Sequence, residues 1–473
     1  MLGFSNQSLT NFLFWATRKK WFLITLLLGF VLYLLPTPEG ISDAGYRSII
    51  IIITALIMII SETIVLPAVA MYILVMEVYF GIGTPNSIAS SFMNDAVFFI
   101  MGSLMLAVTI VKQGWDTRIA LGIIRLTGNR TRNIVFGFTA FSAILASFIG
   151  EHTVAALMLP IGMTLIRNTS KSGKNVRNLS SILLFSIAYG ALVGSIGTPS
   201  GGGRNVIMMT YFHNSGLSIS YLEWMLLVYP LVLIQIPILA WLLTKNFVPE
   251  YVRLDSSVRK LMIQVARAGH ITGRNSLAIL IFLMVFAGWI FLSEKIGLGT
   301  IALTGVFFYL VGGFVSWEDL SRNTHWGVIL LFGATISLGS NIKDTGAALW
   351  MADHIVDSFG VIMHTIPFVG DLIIAVMTTT LANVISSSAT VAVLGPITMN
   401  MGDDTLHLGL VTAVASAFGY FTAVAAPACT IIYSSGMVRA KDFLKIGWKM
   451  GLISVVLLII YANTYWPLIN IQH

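Results

Sequence analysis

The sequence predicts an all-α membrane protein that crosses the bilayer about eleven times, and three observations carry that prediction. Of 473 residues, 56% are hydrophobic and only 10% charged, where soluble domains carry about 25% charge. Apolar runs recur along the whole chain, for example at 21–35, 49–60, 276–292 and 452–466, and a hydrocarbon core of about 30 Å is crossed by roughly 20 such residues. Two long apolar stretches in the first half are broken by polar or glycine-rich turns, and the second half repeats that pattern. No polar segment exceeds about thirty residues, too few for a globular domain of ordinary size. The chain 1–473 therefore reads as a single membrane domain.

The charge balance fits this class. The net charge of +7 marks loops that stay on the cytoplasmic side rather than a nucleic-acid surface, because short cytoplasmic loops of multispan proteins are enriched in Lys and Arg. A single cysteine, Cys429, excludes an intramolecular disulfide and a cysteine-based metal site. No cofactor is expected. Residues 1–17 lack a basic start and an A-x-A site, so they do not read as a cleavable signal, and Arg18-Lys19-Lys20 places the N-terminus in the cytoplasm.

From that anchor the spans alternate. Span 1 covers about 21–36 and exits near Glu39 and Asp43. Span 2 (about 46–60) returns, and span 3 begins at Ser61-Glu62-Thr63 and exits near 81–91. Span 4 (about 95–111) returns to Lys112, Arg118, Arg125, Arg130 and Arg132. The next stretch, 134–166, is too long for one helix and is broken at Gly150-Glu151-His152. It ends on the basic loop 167–177, so it enters and leaves by one side: a re-entrant hairpin with an irregular tip, which is tolerated at depth only under cover of protein or water. Span 5 (about 180–213) is interrupted at 197–203. Span 6 (about 225–244) leads to the basic stretch 245–274, spans 7 (276–292) and 8 (300–315) cross and return, and span 9 (326–341) exits.

The second half echoes the first. Its hairpin tip, SSATVAVLGP at 387–396, parallels EHTVAALMLP at 151–160, and each is followed by a proline-broken span, at Pro199 and at Pro427. Its flanks are acidic (Asp344, Asp353, Asp357, Asp403, Asp404), which places them outside. The last loop (Arg439, Lys441, Lys445) is inside, and span 11 (448–466) leaves the C-terminus outside. Two inverted repeats with broken helices are the pattern of secondary transporters, with a site at mid-membrane. Scaffold-like parts fall at about 1–94 and 215–325, and transport-like repeats at about 95–214 and 326–445. A plasma (inner) membrane is the expected location.

These two hairpin tips, the two proline-broken spans and the run Ser61-Glu62-Thr63-Ile64-Val65-Leu66-Pro67 resemble the divalent anion:sodium symporter family of dicarboxylate, citrate and sulfate carriers. The resemblance covers nearly the whole chain. It implies a homodimer with a fixed scaffold and a moving, elevator-type transport domain. It implies that tip side chains hold the substrate carboxylates and that backbone of the same loops helps form sodium sites. The family carries Ser-Asn-Thr at each tip, where this chain has Gly150-Glu151-His152-Thr153 and Ser386-Ser387-Ser388-Ala389-Thr390. In place of a Thr-Pro-Pro-Asn turn it has Thr198-Pro199 followed by 200–203, Arg204 and Asn205, and in the second span Ala426-Pro427-Ala428-Cys429-Thr430.

The chemistry of those residue types points the same way. A dianion entering lipid needs neutralising. Broken-helix ends supply N–H groups and positive dipole ends, and the hydroxyls of Thr153, Thr198, Ser386, Ser387, Ser388 and Thr390 donate without adding charge. Gly203 and its two predecessors allow close backbone approach. Arg204, permanently charged within an apolar span, either clamps a substrate carboxylate or pairs with Glu151. His152 is a structural or a proton-sensitive group. Cys429 lies beside the expected site, where thiol reagents are expected to reach it in one conformation. The expected partners are C4–C5 dicarboxylates such as succinate, malate and 2-oxoglutarate. Charge built in by Arg204 favours sodium-independent exchange, and the alternative is a sodium- or proton-coupled symporter of di- or tricarboxylates or sulfate, with Glu151 as ligand or proton carrier. An anion channel is the reading from another class. Enzyme motifs such as HExxH, Gly-x-Ser-x-Gly or a P-loop lysine do not occur.

Overall fold

The helices follow where apolar runs are long and stop where glycine, proline or a capping side chain intervenes. A computed structural model describes residues 20–61, 64–113, 122, 125–170, 176–266, 273–365, 367–402, 404–423 and 425–469. Residues 1–17, Arg18, Lys19, Glu62, Thr63, Arg118 and Asp403 of the sequence reading, and 171–175 of the basic loop after the first hairpin, lie outside them. Among the described residues, eight helices are long and apolar enough to cross a membrane, and several shorter apolar helices accompany them. No strand occurs among the described residues.

The first half comprises α1 (Lys20–Leu34), α2 (Asp43–Ser61), α3 (Leu66–Tyr79), α4 (Pro85–Phe92) and α5 (Asp95–Lys112). The first hairpin follows as α6 (Thr131–Ile149) and α7 (Glu151–Ser170), then the first broken span as α8 (Arg177–Ser195), a 3-10 turn at Pro199–Gly201 and α9 (Gly203–Asn214). Next come α10 (Tyr221–Asn246), α11 (Asp255–Ala266), α12 (Gly273–Ile296), α13 (Leu298–Val311) and α14 (Trp317–Asn323). The second half runs through α15 (Trp326–Asp344), α16 (Ala347–Thr365), the second hairpin α17 (Pro367–Val384) and α18 (Ser387–Thr398), and the second broken span α19 (Thr405–Ala415) and α20 (Pro427–Ser434). It closes with α21 (Ala440–Thr464) and α22 (Trp466–Ile469). The order long helix, hairpin, broken span thus occurs twice. The short helices α4, α11 and α14 lie where the sequence suggested only loops. Short capped segments such as α14, with its Ser316–Asp319 capping box, are locally encoded but carry no span-length hydropathy.

Both hairpins turn where their sequences demand it. Gly150 takes φ +81°, a conformation L side chains rarely adopt, so the break between α6 and α7 falls on it. At the other tip, Ser386 is the N-cap of α18, its Oγ accepting from Ala389 N at 3.3 Å. The first broken span is the centre of the core: every residue from Leu179 to Ser195 on α8 is buried. Small residues make that burial possible. A Cβ on Gly194 would stand 1.9 Å from the Ala143 carbonyl oxygen of α6, so the two backbones touch. The halves then interlock, since α20 of the second broken span packs on α7 of the first hairpin, and α9 of the first broken span packs on α18 of the second.

Candidate functional site

Unwound backbone at depth must find partners, because no water in the hydrocarbon core supplies them. In the first break these partners come from the break itself, from the hairpin and from α10. The Asn205 amide donates to the carbonyls of Ser195 (2.8 Å) and Thr198 (2.7 Å), stitching the two ends of the interruption together. The Thr198 hydroxyl donates to the Ser147 carbonyl of α6. Ser200 shares a 2.7 Å hydrogen bond with the Tyr221 hydroxyl, and Trp224 donates to the Ile196 carbonyl at 2.9 Å.

Across this scaffold lies the charged pair. Arg204 is 1% exposed and Glu151 3%. The guanidinium Nη1 stands 3.3 Å from Glu151 Oε2. Ser195 connects them further: its hydroxyl donates to Glu151 Oε2 at 3.0 Å, and Arg204 Nη2 donates to the same Oγ. Of the two roles the sequence left open for Arg204, the structure shows the internal ion pair. A guanidinium and a carboxylate sealed together carry no net charge into the membrane. Arg204 Nε is buried with no hydrogen-bond partner, so one donor of the guanidinium remains unused.

His152 is half-buried, with its ring 6.2 Å from that of His325, which precedes α15. A small cavity of about 40 Å³ opens beside Gly150 and His152 and is walled by Pro199, Gly201–Gly203 and, from α15, Phe332. Gly203 is required there, because a Cβ would sit 2.2 Å from Phe332 Cζ. Thr153 is half-buried one residue further along α7.

The second end carries no charge. Ser387 is buried with an unpartnered hydroxyl, and Ser386 and Ser388 are half-buried. Thr390 Oγ1 donates back to the Ser386 carbonyl at 2.8 Å. Between α19 and α20 the backbone is unwound over about ten residues. Asn383 holds it: its amide donates to the Phe418 carbonyl (2.9 Å) and its oxygen accepts from Phe421 N (2.7 Å). Tyr189 of α8 donates to the Tyr420 carbonyl at 2.6 Å, tying this break to the first broken span. Pro427 opens α20, with Ala428 and Cys429 buried behind it, and the exposed Thr430 donates to the Ala423 carbonyl at 3.0 Å. Helix α20 packs on α7, which carries Glu151, so both breaks border one region.

The structure therefore gathers Glu151, Thr198, Arg204 and Asn205 into one network through Ser195, with Pro199, Gly203 and His152 on the adjoining cavity and Thr153 at its edge. Ser386, Ser387, Ser388 and Thr390 sit at the second hairpin tip, and Pro427, Ala428, Cys429 and Thr430 at the second break, which Asn383 of the same hairpin clamps. Cys429 is fully buried here, so a thiol reagent meets it only in another conformation. Ser195, Asn383 and His325 were missed in the sequence. Ser195 and Asn383 are single polar residues inside apolar runs, and their positions just before a break were the available signal. Among the described residues no group of three or more His, Cys, Asp or Glu is placed to hold a metal ion.

Residues 17–471 match the model of the sodium:sulfate symporter transmembrane region. The sodium-dependent high-affinity dicarboxylate transporter 3 of Caenorhabditis elegans is 24% identical over 454 residues, covering 85% of this chain and 80% of that protein. The sodium-dependent dicarboxylate transporter SdcS of Staphylococcus aureus (strain USA300) is 25% identical over 489 residues, covering 96% and 94%. In fold, the chain is similar to the Alcanivorax borkumensis YdaH transporter (TM-score 0.53, 13% identity, 79% of this chain and 86% of that one). It is also similar to Neisseria gonorrhoeae MtrF (TM-score 0.56, 10% identity, 83% and 84%).

Proposed function

The chain belongs to the sodium:sulfate symporter family as a multi-pass membrane transporter, and from that premise we propose that it carries C4–C5 dicarboxylates inward by sodium-coupled symport. The dicarboxylate substrate is supported by the relatives, named as sodium-dependent dicarboxylate transporters, and by the hydroxyl-rich breaks. The observation that carries the coupling is the buried Arg204–Glu151 pair. Exchange was the sequence expectation because a lone built-in cation would hinder return of the empty carrier. A neutral pair removes that hindrance, since no uncompensated charge crosses. The positive charge that must accompany the dianion then comes from solution. The second end suits sodium, since Ser386, Ser387 and Ser388 offer neutral oxygens and the unwound carbonyls of broken helices are the donors such carriers present to sodium. At the first end Arg204 supplies a positive charge of the protein's own, paired with Glu151.

In this reading the two halves are inverted repeats, the N-terminus is cytoplasmic and the C-terminus outside. The scaffold-like parts at about 1–94 and 215–325 stay fixed in a homodimer while the repeats at about 95–214 and 326–445 move. Sodium-independent exchange is the second reading, favoured by the unpartnered Arg204 Nε, which offers a donor to a substrate carboxylate. Radiolabelled succinate uptake into proteoliposomes separates them. Sodium-driven uptake into empty vesicles supports symport. Uptake only into vesicles preloaded with dicarboxylate, indifferent to sodium, replaces it with exchange. A flux that neither saturates nor responds to counter-substrate points to a channel.

A further inference from the structure

Away from the transport site, three lysines lie at the junction where α10 ends and α21 begins, two of them bound to the same residue. Lys245 lies in the last turn of α10, and Lys445 and Lys449 lie one turn apart on α21, which packs against α10. The ammonium groups of Lys445 and Lys449 share one residue: Lys445 Nζ donates to the Asn246 carbonyl at 3.3 Å and Lys449 Nζ donates to Asn246 Oδ1. Like charges held this close repel unless an anion lies between them.

No carboxylate of the protein fills that role. None of the three lysines makes an ion pair among the described residues. The two nearest acids in sequence are committed elsewhere. Glu250 accepts from the backbone N–H groups of Asn178 (2.7 Å) and Leu179 (2.9 Å) at the start of α8. Asp442 accepts from Arg439 N at 3.3 Å and faces Arg177 at 3.9 Å. The carbonyls at the end of α10 account for one donor on Lys445 and leave the other two on that ammonium.

The surroundings fit lipid rather than a soluble ion. Lys245 lies 4.7 Å from the centre of the Trp241 ring, Lys445 4.9 Å from that of Phe247 and Lys449 5.8 Å from that of Trp448. Trp241 (49% exposed), Trp448 (50%) and Leu444 (60%) face outward from the bundle, which is where interfacial tryptophans sit at headgroup level. Basic pockets between transmembrane helices on the basic side of a protein take anionic headgroups, at about 1 kcal/mol per Lys near the surface.

We propose that the basic surface at the junction of α10 and α21 forms a site when an anionic phospholipid binds there, its phosphate held by Lys245, Lys445 and Lys449 and its acyl chains lying along Trp241, Leu444 and Trp448. The proposal is independent of substrate and coupling. The test is native mass spectrometry of the full-length protein in mixed micelles of phosphatidylglycerol and phosphatidylcholine. Wild type is expected to retain phosphatidylglycerol selectively. Lys245→Gln, which has no hydrogen bond to lose among the described residues, should weaken retention about fivefold. Joint substitution of the three lysines by Gln should abolish selectivity, and joint substitution by Arg should preserve it. Equal retention of the two lipids by wild type, unchanged selectivity in the Gln variants, or loss of it in the Arg variant would each overturn the proposal. So would displacement of the lipid by millimolar inorganic phosphate, which would make the junction a site for free phosphate.

Discussion

The first hairpin and broken span and their counterparts in the second half share an architecture but answer the same electrostatic problem in different ways. The first end seals a cation and an anion of its own inside the protein, Arg204 against Glu151 with Ser195 between them. The second end holds neutral oxygens, with the Ser387 hydroxyl unpartnered and Asn383 clamping an unwound loop. Two helix breaks can thus diverge in charge while keeping their geometry, because backbone partners, not side-chain charge, hold the break open.

The sharpest way to break this comparison is to remove one charge at the first end. Arg204→Gln strands the Glu151 carboxylate in the core and should cost about 3–5 kcal/mol of stability and abolish uptake. The double variant Glu151→Gln, Arg204→Gln should recover most of the stability in thermal melts of purified protein. A double variant no more stable than the single one would show that the pair is not electrically closed.

Sterics come next. Gly203→Ala drives a Cβ into Phe332 and should destabilise by about 1–3 kcal/mol, with Phe332→Ala restoring room. At the second break the residue before α20 is Ala426, which already carries a Cβ but is fully buried, so Ala426→Ser meets no comparable backbone clash yet adds a hydroxyl to the core and should cost about 1–3 kcal/mol.

A smaller effect separates the ends functionally. Ser387→Ala should raise the sodium concentration for half-maximal uptake about tenfold, the equivalent of about 1.4 kcal/mol. Ser195→Ala should lower stability and leave sodium dependence unchanged. Equal sodium shifts in both variants would refute the division of labour proposed for the two ends.

The smallest effect lies outside the spans. Lys112, then Ser316, hydrogen-bonds Asp319 and lowers its pKa from 3.8 to about 2. A depressed carboxylate contributes stability that is complete above its unfolded value and fades as pH falls from about 4 toward 2. Melting temperatures of wild type and Lys112→Gln should therefore differ by a constant amount between pH 5 and 8 and converge below pH 4.

Much of the fold was legible because bilayer crossing imposes a strong, local demand on composition. The hairpin tips at Gly150 and Ser386 and the breaks after Ser195 and before Pro427 were each marked by residues that interrupt apolar runs. The short helices α11 and α14 were not, because a few capped turns leave no span-length signal. Of the site, Glu151 and Arg204 stood out as ionisable groups in apolar sequence. Ser195 and Asn383 did not, since a single Ser or Asn in a helix is ordinary until its partner is known.

The sequence alone determined the membrane class, the two hairpins, the two broken spans and the list of polar residues that depth makes expensive. Tertiary structure alone decided that Arg204 faces Glu151 and that Asn383 clamps the second break. Hydropathy and turn signals act over a few residues along the chain. Pairing of charges separated by 53 positions depends on how α7, α8 and α9 pack, which no local pattern encodes.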